Sequence, residues 1–181
     1  MVAGPGPANM ILITVGLKYG LNNSIRFLIG VILSKQIIIW PVGLGLLSIS
    51  IYAPKTFLIL KYLSVLYILW LAWKFLFVGL KRGTANVPPS FFAGLLVHPF
   101  NPKAWLMVVA SFSSFTNFET SPIYQTGIVA IIFFISQCFF HSIWLILGSK
   151  ISELLRNKKL KAIFIFLLSV LTVISVIPIL V

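Results

Sequence analysis

Almost the entire chain is apolar enough to sit in hydrocarbon, yet two prolyl motifs interrupt it: Pro5-Gly6-Pro7-Ala8-Asn9 near the start and Asn101-Pro102-Lys103-Ala104-Trp105 in the middle. A proline inside a membrane helix gives up a backbone hydrogen bond. In hydrocarbon the freed carbonyl costs several kcal/mol unless protein or a polar cavity receives it. Broken helices in corresponding positions therefore read as a transport site. With 60% of residues hydrophobic and only 9% charged over 181 residues, the chain is an integral membrane protein. Its apolar runs exceed the roughly 20 residues a spanning helix needs, and the alternating segments of a barrel are missing, so the fold class is all-α. The net charge of +12 does not point to nucleic acid, because the basic residues fall at helix ends and no soluble segment holds them. A lone cysteine, Cys138, excludes an internal disulfide.

Six hydrophobic segments can be placed, at about 3–19, 25–52, 57–80, 91–115, 123–148 and 160–181. The first contains the first prolyl motif and the second carries Pro41, where a kink is expected. The fourth is broken at Pro99 and Pro102. No separate domain is visible, and 1–181 reads as a single membrane domain. If all six segments cross, the loops after the first, third and fifth hold Lys18, Arg26, Lys81, Arg82, Lys150, Arg156, Lys158, Lys159 and Lys161, against only Lys55 and Lys61 on the other face. That bias puts those three loops in the cytoplasm. A bacterial inner membrane and a multi-pass arrangement suit this reading.

The halves echo each other. Pro7 and Pro102 are each followed by polar residues and then an apolar run, and Ser34-Lys35-Gln36 is matched by Ser136-Gln137-Cys138. Three segments per half is an odd number, so the second half is expected upside down. The architecture predicted is a six-helix bundle built as a 3+3 inverted repeat, with repeats at about 1–82 and 91–181 and the two motifs meeting near the midplane.

Gly4-Pro5-Gly6-Pro7-Ala8-Asn9-Met10, followed by Gly16-Leu17-Lys18-Tyr19-Gly20, resembles the opening signature of the LysE/RhtB amino-acid exporters. Asn101 to Trp105 resembles that family's second signature, and Tyr67-Ile68-Leu69-Trp70-Leu71-Ala72-Trp73-Lys74 the end of its third helix. The resemblance implies a six-helix inner-membrane carrier that expels amino acids or similar small solutes, driven by the proton gradient and assembled as a homo-oligomer. Two features depart from it. Relatives carry an apolar run before the first signature, whereas only Met1 to Gly4 precede Pro5 here, so the first helix is expected to be truncated, through an upstream start or a shortened copy. Lys35 stands where many relatives place an aspartate, which leans the substrate toward neutral or anionic solutes.

The candidate substrate-binding residues are Pro5, Gly6, Pro7, Asn9, Lys35, Asn101, Pro102, Lys103 and Gln137. Each has a plainer alternative. The prolines and Gly6 could mark ordinary kinks, and Asn9 and Asn101 could cap broken helices rather than meet a substrate. Lys103 either snorkels or faces a cavity, and Lys35, about 13 Å along the helix from Arg26, is too deep for easy snorkelling. His98, before Pro99, either relays protons or bonds to backbone at a helix end. Cys138 and His141 share a face at i,i+3, compatible with a metal or with plain packing; neither metal nor cofactor is expected. The Trp105 ring could wall the cavity. An enzyme is not expected, since Glu119 and Glu153 are the only acidic residues and both are at loops. A non-transporting membrane subunit or an inactive truncated copy stays open beside the transporter. Proton coupling, if present, has no intramembrane carboxylate to use.

Overall fold

The computed structural model describes residues 2–4, 6–46, 66, 69–70, 87–115, 121–155 and 157–174, and every extended element among them is helical. In chain order these are α1 (Pro7–Ser34), α2 (Gln36–Pro41), a π-helical turn (Val42–Leu46), α3 (Phe91–Leu95), α4 (Pro102–Phe115), α5 (Pro122–Leu154) and α6 (Lys158–Ile174). Pro5, the polar link around Glu119 and almost all of the expected third segment lie outside the described residues.

By hydrogen bonding α1 is one element; by shape it is two arms. Gly20 sits at φ 75° and ψ 174°, left-handed backbone that only glycine adopts cheaply. In a straight helix Asn9 and Lys35 would stand about 39 Å apart at 1.5 Å per residue. Instead both line one small cavity, and Ser24 Oγ reaches within 3.5 Å of the Val15 carbonyl oxygen. The chain therefore doubles back at Gly20, and the Ser24 hydroxyl donates to the Gly20 carbonyl at 2.6 Å, supplying a partner where the helix breaks. The first arm, residues 7–19, is about 20 Å long by helical rise, short of the roughly 30 Å of a hydrocarbon core. The second arm starts at Leu21, ahead of the Ile25 read from hydropathy alone, because the turn needs one glycine rather than a loop.

Pro41 does more than kink its helix. It ends α2, and the chain continues as the π turn, with the Val42 N–H directed at the Ile38 and Ile39 carbonyls. The predicted break in the fourth segment is present as the gap between α3 and α4. Ser90 caps α3 by accepting from the Ala93 N–H, and Asn157 caps α6 through the Lys159 N–H.

The bundle is inside-out relative to a soluble protein. Ser34, Lys35, His98, Asn101, Gln137 and His141 are buried, while Ile128, Ile131, Ile132, Ile135 and Phe139 on α5 are exposed. Polar residues gathered inside and aliphatic residues facing out is the pattern of a membrane protein. Pro7–Gly45 and Pro122–Leu154 are long and apolar enough to cross a bilayer, and the hairpin folds the first of these on itself.

Two glycine seams fasten the elements. A Cβ on Gly16 would strike the Leu145 carbonyl and one on Gly148 the Ile13 carbonyl, so the first arm lies directly against α5. A Cβ on Gly30 would strike the Phe91 carbonyl and one on Gly94 the Phe27 carbonyl, so the second arm lies directly against α3. Small residues at such crossings let membrane helices gain van der Waals contact where no hydrophobic drive exists between them. Around these seams one apolar cluster joins both arms to α5, through Leu12, Val15, Phe27, Val31 and Leu145. A second joins Ile38 and Ile39 to Ala104 and Val108 of α4 and to Phe133 of α5.

Candidate functional site

Gly6 is extended at φ −170° and Pro7 opens α1, where its fixed φ suits the first helical position and its missing N–H costs nothing. Two residues on, Asn9 is 4% exposed and fully engaged. Its Nδ2 donates to the carbonyls of Val2 at 2.9 Å and Gly4 at 2.8 Å, which fixes Oδ1 as the acceptor facing His141 Nδ1 at 2.8 Å. His141 must then carry a proton on Nδ1. With the ring neutral, Nε2 accepts from Gln137 Nε2 at 3.2 Å, so both ring nitrogens are used. The Gln137 Oε1 is left buried with no partner among the described residues.

The second break is built differently. Asn101 Oδ1 accepts the Lys103 N–H at 3.1 Å and so caps α4, while the Trp105 indole donates to the Pro99 carbonyl at 2.9 Å. The Asn101 Nδ2 has no partner among the described residues, and the residue lines the cavity. His98, 3% exposed, lies in the turn between α3 and α4 with Nδ1 2.8 Å from Ser34 Oγ. The single hydroxyl proton of Ser34 is directed at the Val31 carbonyl, 2.7 Å away. Ser34 Oγ therefore accepts from His98, which also carries its proton on Nδ1. The backbone bond expected for a helix-end histidine is replaced by this link to another helix, and His98 Nε2 has no partner among the described residues.

These side chains converge on a cavity of about 30 Å³ lined by both motifs, by Lys35 and by the two histidines, whose ring centres are 5.4 Å apart. Lys35, 2% exposed, makes no hydrogen bond among the described residues; its Nζ lies 4.7 Å from the centre of the Phe133 ring. A desolvated cation–π contact contributes about 2 kcal/mol, less than the several kcal/mol that removing an ammonium from water costs. Lys103 enters from α4, its Nζ 3.5 Å from where a Cβ on Gly6 would stand. No acidic side chain lines the cavity among the described residues. At this volume it holds about one water rather than a solute.

Of the residues singled out in the sequence, Gly6, Pro7, Asn9, Lys35, Asn101 and Lys103 come together around this cavity. Pro5 lies outside the described residues, and Pro102 begins α4. Gln137 stands behind His141 rather than at the cavity, and Trp105 braces the break through its indole N–H. Two histidines belong to the arrangement that sequence reasoning left at the margin. The signal for His141 was available: Thr126, Ala130, Phe133, Gln137, His141, Leu145 and Gly148 form the one buried stripe of α5, and polar residues on such a stripe face the bundle interior.

The family model described as LysE type translocator matches residues 1–177. Among curated proteins, the chain is 26% identical over 154 residues to a protein named cysteine/O-acetylserine efflux protein from Escherichia coli strain K12, covering 84% of this chain and 79% of the relative. The same name, identity and coverages hold for a relative from Escherichia coli O157:H7. No solved structure matches the chain.

Proposed function

Since the chain belongs to the LysE type translocator family, we propose that it is a secondary transporter exporting amino acids or similar small solutes, with its substrate site at the cavity between the two broken helices. The observation that carries this reading is the convergence of two prolyl motifs, far apart in sequence, on one cavity that gathers Asn9, Lys35, His98, Asn101, Lys103 and His141 inside an apolar bundle. Discontinuous helices meeting at such a point are how transporters expose backbone and side-chain polar groups to a solute without exposing them to lipid.

The lining selects the substrate's chemistry. Lys35 is a buried cation with no counter-charge among the described residues, and Lys103 and the free amide of Asn101 bring two more donors. An arriving carboxylate relieves the desolvation of Lys35, whereas a second positive side chain adds repulsion. The substrate is thus a neutral or anionic amino acid. The relatives' named solutes, cysteine and O-acetylserine, are small amino acids of this kind. The carrier sits in the inner membrane as a six-helix, 3+3 inverted repeat with the basic loops inside. A single cysteine at Asn157, with Cys138 replaced, will be shielded from an impermeant thiol reagent in intact cells.

The deciding experiment is efflux of radiolabelled cysteine, serine, glutamate and lysine from preloaded cells expressing the chain. Faster loss of the neutral or anionic solutes than from control cells, with lysine unaffected, supports the reading. No acceleration for any of them, at verified membrane abundance, sinks it.

A further inference from the structure

The two histidines beside Lys35 are not equivalent, and the difference is one lone pair. His141 has both ring nitrogens occupied, by Asn9 and Gln137. His98 has its proton directed to Ser34 from Nδ1, so its unprotonated Nε2 is a basic nitrogen without a partner among the described residues, on a side chain that lines the cavity. Among the described residues, the other polar side chains around the cavity that are free to receive a solute are donors: the ammonium groups of Lys35 and Lys103 and the Asn101 amide. An amino acid carries an ammonium group as well as a carboxylate, and with no acidic side chain at the cavity among the described residues that ammonium needs a neutral acceptor. His98 Nε2 is one.

We propose that His98 Nε2 is the coupling atom of the carrier: in one state it accepts a hydrogen bond from the substrate's ammonium group, and in the other it binds a proton. The inference rests on the exporter reading above. The two ligands exclude each other, because a proton on Nε2 turns the acceptor into a donor and sets an imidazolium against the ammonium. Competition of substrate and proton for a single site is the thermodynamic basis of antiport, since each lowers the apparent affinity of the other by the same factor. No bond other than N–H is made or broken: the proton enters from the outer solution, stays on Nε2 during the return step and leaves to the inner solution when substrate displaces it. Among the described residues, the charged and titratable groups facing His98 are Lys35 from the junction of α1 and α2, Lys103 from α4 and the neutral imidazole of His141 from α5. The lysines hold the carboxylate in the substrate-loaded state. Ser34 is a positioning residue, keeping the ring's proton on Nδ1 and so leaving Nε2 unprotonated on a residue that lines the cavity.

The test uses the purified full chain in liposomes, with radiolabelled cysteine under reducing conditions as the probe. Its exchange is measured without a gradient, and its uphill movement under an imposed pH gradient. For the wild type, the KM for exchange should rise as pH falls, approaching tenfold per pH unit where the proton occupies the site, with maximal rate little changed. In His98→Gln, which offers an amide oxygen but cannot take up a proton, exchange should persist at reduced affinity. Its KM should lose the pH dependence, and uphill movement should disappear. Ser34→Ala, which retains the imidazole, should keep uphill movement with a displaced pH midpoint. Uphill movement surviving in His98→Gln overturns the proposal, as does a wild-type KM indifferent to pH. Loss of exchange together with coupling in His98→Gln, with Ser34→Ala normal, also overturns it, by making His98 a structural or purely substrate-binding residue. Absence of exchange for every solute in the wild type would instead strike at the exporter reading itself.

Discussion

The two broken helices look alike in sequence and are built to opposite ends. At the first, Asn9 uses every polar atom of its side chain on protein, clasping the carbonyls of Val2 and Gly4 and fixing His141. At the second, Asn101 spends only its oxygen, on the cap of α4, and leaves its amide at the cavity beside a histidine with a free lone pair. The first break is a closed polar knot and the second is open. Two breaks alike in sequence can thus divide the work, one holding the structure and the other presenting free polar atoms to the cavity.

The largest expected effect tests the seams on which both breaks rest. Gly148→Val and Gly30→Val each drive a side chain into backbone, costing about 3 kcal/mol or more. Both variants should lose membrane abundance and detergent stability; normal behaviour of one alone would show that the two seams are unequal. Next comes the contrast itself. Asn9→Ala strands the His141 N–H and two carbonyls and should cost about 2–3 kcal/mol of stability, whereas Asn101→Ala loses one cap, about 1 kcal/mol. Equal melting shifts in detergent would break the comparison. For transport the ranking should be carried by the open side: Lys35→Met should raise the KM for a carboxylate-bearing solute by about tenfold, equivalent to about 1.4 kcal/mol. Lys35→Asp should shift preference toward cationic amino acids, and an unchanged substrate profile would leave Lys35 a structural residue. The smallest effect lies far from both breaks. Lys150 and Glu153 form an exposed i,i+3 pair at 2.9 Å, and Glu153→Gln should change stability by less than about 0.5 kcal/mol.

Much of this was readable from the chain before its fold. Apolar composition and proline placement reveal the class, the broken fourth segment and the meeting of the two motifs, because proline acts locally and hydrocarbon forbids unpaired backbone wherever it occurs. The turn near Gly20 was visible as the polar stretch Asn22-Asn23-Ser24 between the first two segments. Its sharpness was not: one left-handed glycine suffices, so those polar residues belong to the second arm, which begins at Leu21 rather than Ile25. Asn9 and Asn101 could not be told apart, since whether an amide faces its own helix, a neighbour or a cavity depends on where another element brings a carbonyl or an imidazole. His98 and His141 were visible as residues but not as neighbours. Their pairing depends on the crossed packing of arms from one half with helices from the other.

That crossing bears on how such a molecule can move. Where backbones touch through glycine, no side chain is left to flex between them, and each seam behaves like a weld. The first arm of α1 is welded to α5 and the second arm to α3, so each rigid body borrows one piece from either half of the sequence. A rocking of half against half would tear both welds at once. A motion that spares both welds would have to slide one welded pair past the other about Gly20, against the apolar cluster that joins both arms to α5; Asn9 and His141 lie on one pair, Lys35 and His98 beside the other. Such a slide would also part His98 from His141, whose ring centres now lie 5.4 Å apart.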